Sequence, residues 1–137
     1  MRVGIYSIRE VIQHVPNGIQ MKPPPDKCLH RVEFDGDMIR MDSLRYQLFK
    51  TTLKCAACGI EGKFFAKEKS SLKSINESFH FNLYAIRSDG NEVLMTKDHV
   101  IPKSKGGAKN HISNLQVMCA PCNSFKGNST EEENDRQ

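Results

Sequence analysis

The sequence predicts an α+β fold, a small domain stapled by a metal rather than by disulfides. Three observations lead there. Two segments carry helix-start signals ahead of apolar residues at helical spacing, alternating segments flank tight-turn sequences, and two Cys-x-x-Cys pairs stand far apart in the chain. At 137 residues there is room for one domain with a modest core, not for two independent ones.

Near the start, Ser7 and Glu10 form a Ser-x-x-Glu capping box ahead of Ile8, Val11, Ile12 and Val15, which predicts a helix from about residue 8 to Gly18. Pro23, Pro24 and Pro25 then break the chain. Residues 30–34 (HRVEF) and 37–41 (DMIRM) flank Asp35-Gly36, a dipeptide that favours a tight hairpin turn. Asp42 or Ser43 caps a second helix through LRYQLFKTT, which leads directly into Cys55.

GKFFAKE is a predicted strand, and KEKSSLKSINES a polar connector without periodicity. FHFNLYAI and NEVLMT, joined by RSDG, predict a second hairpin with Phe79, Phe81 and Leu83 on one face and His80, Asn82 and Tyr84 on the other. LQVM is a short apolar strand. Pro121 then suits the opening of a helix, where its missing N–H costs nothing, and Asn123 falls in that helix's first turn. Residues 1–54 therefore read as an N-terminal extension of helix, hairpin and helix, 55–128 as the core bearing the cysteine pairs, and 129–137 as an acidic, solvated tail.

Lysine and arginine exceed the acids by only 20 to 16, a balance that alone implies no particular partner. The distribution says more. Residues 97–126 hold five lysines against the single acid Asp98, whereas residues 131–137 hold Glu131, Glu132, Glu133 and Asp135 against Arg136. No run approaches the length of a membrane span, and MRVGIYSIRE lacks the apolar centre of a signal peptide, so a cytoplasmic protein without membrane contact is expected.

In a reducing compartment five cysteines favour metal over disulfides. Cys55-Ala-Ala-Cys58-Gly and Cys119-Ala-Pro-Cys122 each present two thiolates from a tight turn, and together they complete a tetrahedral four-sulfur site suited to Zn2+. Such a site leaves no open coordination position, so it stabilises rather than catalyses. Cys28 is left over and is expected simply to pack.

Asp98-His99-Val-Ile-Pro102, Gly106-Gly107, Asn114-Leu115 and Cys119-x-x-Cys122-Asn123-x-x-Lys126-Gly127 together closely resemble the HNH endonucleases. The resemblance is specific over residues 93–128 and takes in the knuckle at 55–58; it leaves residues 1–54 unexplained, although small phage-encoded and mobile-element members often carry such additions. It implies a ββα-metal (His-Me finger) core. The third motif position is Asn123 rather than His, a variant also found among active family members. By resemblance, Asn114 is the central family Asn, which bonds backbone to hold the loop carrying His99 and is not a metal ligand.

The residue types fit phosphodiester hydrolysis. That reaction needs a nucleophile made from water, relief of charge at phosphorus and help for the departing 3′ oxygen. His99 can take a proton near neutral pH, and Asp98 and Asn123 offer hard oxygens suited to Mg2+ or Mn2+. Adjacent strand residues point to opposite faces, so Asp98 and His99 can serve the metal and the water separately only where the strand ends or twists. Lys103, Lys105, Lys109 and Lys126, clustered with Gly106-Gly107, are candidates for contact with the DNA backbone. His14, His30, His80 and His111 lack such context and read as structural or solvated, with His111 a weak candidate for phosphate contact.

The expectation is therefore a metal-dependent DNA endonuclease that leaves a 5′ phosphate by one-metal hydrolysis. Cutting both strands would call for a homodimer, and a phage protein partner is the other expected company. The alternative is a zinc-stabilised nucleic-acid-binding or accessory module with a vestigial site; intact Asp98, His99 and Asn123 argue against it.

Overall fold

The computed structural model describes residues 1–16, 30–70, 77–101 and 112–126. Its centre is a five-stranded antiparallel sheet in the order β1-β4-β5-β6-β7. The strands are β1 (Arg2–Ser7), β4 (Gly62–Glu68), β5 (His80–Ile86), β6 (Glu92–His99) and β7 (Leu115–Cys119). A separate hairpin, β2 (Arg31–Phe34) with β3 (Asp37–Arg40), and two helices, α1 (Ile8–Ile12) and α2 (Leu44–Thr51), complete the named elements. Residues 120–126 are helical and follow β7 without a break. The architecture is mixed α and β, as expected.

Local chemistry explains most element ends. The Ser7 hydroxyl accepts from the Glu10 N–H while the Glu10 carboxylate accepts from the Ser7 N–H, so the capping box is complete. The helix it starts is shorter than the sequence suggested, because α1 ends at Ile12 rather than near Gly18. Pro16 is the cause: it disfavours helical geometry at Val15, and the chain tightens beforehand into bonds from His14 to Val11 and from Val15 to Ile12. The β2–β3 turn uses Asp35 and Gly36 at φ 51° and 91°, the positive-φ pair that suits a two-residue hairpin. Ser43 caps α2 by accepting from the Tyr46 N–H.

β1 was not anticipated from sequence. It forms an edge of the sheet by pairing with β4, with a register shift between Arg2 and Gly4. Its Val3 and Ile5 are exposed, so the strand lacks the buried alternation that usually betrays one.

The core lies on one face of the sheet. Phe65 of β4, Phe81 and Leu83 of β5, Met95 of β6 and Val117 of β7 are fully buried there with Val11 of α1, Phe49 of α2 and Ile39 of the hairpin. Phe81 meets Phe34 and Tyr6 edge-on, at centroid distances of 4.7 and 5.3 Å. Truncating any of the buried phenylalanines costs about 3–5 kcal/mol in such a core. The small hairpin is pinned to the sheet by Lys67, only 2% exposed, whose ammonium donates to the Phe34 carbonyl at 2.7 Å and to Asp37 at 2.6 Å.

Helix α2 also bonds directly to the sheet. The β5–β6 ladder covers only Tyr84–Ile86 against Glu92–Leu94. Beyond it the Tyr46 hydroxyl accepts from the Phe81 N–H at 2.8 Å, and Tyr46 and Arg45 both donate to the Phe81 carbonyl. Helix α2 thus satisfies backbone groups of β5 beyond the end of its ladder with β6.

Candidate active site and metal centre

Cys55, Cys58, Cys119 and Cys122 bring their four sulfurs within 4.8 Å of one another. The first knuckle is a tight turn in which Cys55 donates to the Ile60 carbonyl at 2.8 Å and Gly59 to the Cys55 carbonyl at 2.9 Å. Ala56 donates to the Val117 carbonyl at 2.8 Å, which locks this turn to β7 and so to the second pair at its end. Cys58 Sγ and Cys119 Sγ are 3.8 Å apart, close to the edge of a tetrahedron with metal–sulfur bonds of about 2.3 Å.

Burial opposes ionisation of Cys55, yet the backbone N–H groups of Cys58, Cys119 and Ala57 outweigh it and bring the thiol down to about 6. Hydrogen bonding with Cys119, and then burial, push Cys122 up to about 12. Four sulfurs this close cannot all carry charge without a cation among them. The donor set and spacing fit zinc, and the long interval between the pairs is closed by the sheet itself.

The second site lies on the opposite face of the β6–β7 hairpin from the core. Thr96 and Asp98 are two apart and share that face, opposite Met118 and Gln116 in register. Asn123 and Lys126 are three apart and share one side of the following helix. The two pairs meet. Asn123 Nδ2 donates to Thr96 Oγ1 at 2.8 Å, and Thr96 Oγ1 donates to the Met118 carbonyl at 2.8 Å. Lys126 Nζ donates to Asp98 Oδ2 at 2.5 Å and to the His99 carbonyl at 2.7 Å, while Gln116 Nε2 also donates to Asp98 Oδ2 at 2.9 Å.

β6 ends at His99, which pairs with Leu115 and so leaves the strand on the side away from Asp98. The segment after it is clamped by Asn114. The Asn114 carboxamide accepts from the Ile101 N–H at 2.8 Å and donates to the Ile101 carbonyl at 3.0 Å, and the Asn114 carbonyl accepts from the Val100 N–H at 2.9 Å. Asn114 itself sits in a 3-10 turn over Ile112–Asn114 and is buried.

The structure thus brings Asp98, Asn123 and Lys126 to one face and fixes Asn114 behind His99. Lys126 has its ammonium on Asp98 and the His99 carbonyl. Pro102, Lys103, Lys105, Gly106, Gly107, Lys109, His111 and Cys28 lie outside the described residues. Thr96 and Gln116 were not singled out from sequence; the alternation of β6 marks Thr96 as sharing Asp98's face, but only the register with β7 identifies Gln116.

The chain matches the HNH endonuclease family over residues 87–137, a span that takes in β6, Asn114, β7 and the second cysteine pair. That segment is similar to HNH endonucleases, and the four-cysteine cluster joins it to the first pair outside the match. Comparison with curated proteins and with solved structures finds no match. No helix among the described residues is long and apolar enough to cross a membrane.

Proposed function

We propose that this protein is a metal-dependent HNH endonuclease that hydrolyses phosphodiester bonds in DNA, built on a zinc-stabilised ββα-metal core. The observation that carries the reading is the approach of Asn123 and Lys126 to Thr96 and Asp98, within a segment similar to HNH endonucleases. The helix brings the Asn123 amide to Thr96 and the Lys126 ammonium to Asp98, so that an amide oxygen and a carboxylate share one face as oxygen donors for a cation.

The donors fit a hard divalent ion. Asp98 already accepts a positive charge at 2.5 Å, and Asn123 commits its Nδ2 to Thr96, which leaves its Oδ1 uncommitted among the described residues. Asp98 and Asn123 would hold Mg2+ or Mn2+, which when bound neutralises charge on the scissile phosphate and on the leaving 3′ oxygen. His99 takes the proton of the attacking water, and cleavage leaves a 5′ phosphate. Asn114 fixes the backbone that follows His99 and so the direction of its ring. The zinc site has no open position and acts by setting where the helix bearing Asn123 begins. Lys103, Lys105 and Lys109 remain candidates for backbone phosphates, and Lys126 joins them once it leaves Asp98.

The test is incubation of the zinc-loaded protein with supercoiled, linear and branched DNA, with and without added Mg2+ or Mn2+. Nicking or linearisation that requires the added ion supports the reading. Binding without cleavage of any form favours a nucleic-acid-binding module instead.

A further inference from the structure

Residues 1–54 lie outside the family match, and together with the start of β5 they build a groove with its own chemistry. Arg31, Arg40 and Arg45 line a cleft of about 450 Å³ whose other walls include Met38, Phe79 and His80. Arg31 and Arg40 stand directly opposite each other across β2 and β3. Like charges in that position destabilise a hairpin. Arg40 is held by Asp42 at 2.5 Å, whereas Arg31 is exposed and makes no hydrogen bond or ion pair among the described residues. Glu33 shares their face and forms no ion pair with either among those residues.

Arg45 adds to the positive field. It lies in the first turn of α2, which holds no acidic residue, so the positive end of the helix dipole reinforces the guanidinium. Burial and the nearby Arg45 charge hold His80 below the usual imidazole range, which keeps it neutral beside the arginines. Met38 is 54% exposed and supplies an apolar wall.

The groove also has a position. β5 begins at His80 and β6 ends at His99, and the two strands are antiparallel neighbours. The Phe79–His80 wall and the Asp98–His99 pair therefore lie at the same end of the sheet, where the β5–β6 ladder has already stopped.

We infer that the arginine groove is a second phosphate-binding site, which grips the nucleic-acid backbone away from the bond that is cut and does so without reading bases. The inference rests on the nuclease reading for its ligand. Guanidinium groups match phosphate oxygens in planar, two-pronged fashion, and an anion between Arg31 and Arg40 turns a repulsive pair into a cooperative one.

The experiment measures binding of fluorescein-labelled duplex and single-stranded DNA by anisotropy, over a series of salt concentrations and with no added divalent ion. Arg31→Gln should weaken affinity by roughly three- to tenfold at low salt and reduce the log-log salt slope by about one unit, evenly across sequences. Arg31→Lys should keep the slope. The melting temperature of Arg31→Gln should equal or exceed that of the parent, because a repulsion is removed. Unchanged affinity and slope in both Arg31→Gln and Arg31→Glu, in a parent that binds and cuts DNA, would overturn the groove while leaving the nuclease reading intact. A parent that binds no DNA at all overturns both.

Discussion

Lys126 Nζ lies 2.5 Å from Asp98 Oδ2, in a partly buried ion pair between the helix after β7 and the end of strand β6. Under the proposed function the ammonium stands where the divalent cation would be held, so metal and lysine would compete for Asp98. A pair of this exposure contributes about 1 kcal/mol, so Lys126→Met should bind Mn2+ about fivefold more tightly. Calorimetric titration of the zinc-loaded variant checks this, and weaker binding would show that Lys126 supports the ligand rather than competing with the ion.

Zinc removal should unfold the protein. A structural zinc contributes on the order of 10 kcal/mol, comparable to the whole stability of a small domain. Cys55→Ser should lose the metal by elemental analysis and the cooperative thermal transition by circular dichroism. A zinc-free variant that melts like the parent contradicts the four-cysteine centre.

Asn114→Ala should separate support from chemistry. It removes two partly buried hydrogen bonds to the Ile101 backbone at 2.8 and 3.0 Å, at a cost of about 1–3 kcal/mol for the two together. Stability measured by denaturant unfolding should fall by that amount with zinc retained, and cleavage should fall further than the fraction unfolded explains, because His99 loses its backbone support.

Much of this arrangement can be read from sequence because it depends on local chemistry. The Ser7–Glu10 box, the Asp35-Gly36 turn and the GKFFAKE strand each follow from neighbouring residues, and the paired knuckles identify their own partners. What escaped depends on register. β1 pairs with β4 some sixty positions away, and its apolar Val3 and Ile5 are the exposed positions while Gly4 and Tyr6 face inward, so apolar alternation does not mark its buried side. Lys126 looks like a free cation until the β6–β7 register and the start of the helix put Asp98 within its reach. Apolar spacing that continues to Val15 suggests a longer α1, but Pro16 disfavours helical geometry before it and the helix ends at Ile12.

Tyr46→Phe probes the end of the β5–β6 ladder. The Tyr46 hydroxyl accepts from the Phe81 N–H at 2.8 Å, and both groups are buried. Its loss leaves that N–H unsatisfied and should destabilise the protein by about 1–3 kcal/mol, seen as a lower melting temperature. Hydrogen exchange at Phe81 should accelerate. A protected Phe81 amide in this variant would mean that another group takes the place of the hydroxyl.

The most direct test of the central claim is the rate at which the parent and His99→Ala cut supercoiled DNA in Mg2+ or Mn2+, both proteins carrying full zinc and equal DNA affinity. General-base catalysis contributes about 10²- to 10⁴-fold, so the variant should lose activity on that scale while it stays folded. A His99→Ala protein that cuts as fast as the parent, or a parent that cuts no DNA form with either ion, contradicts the account.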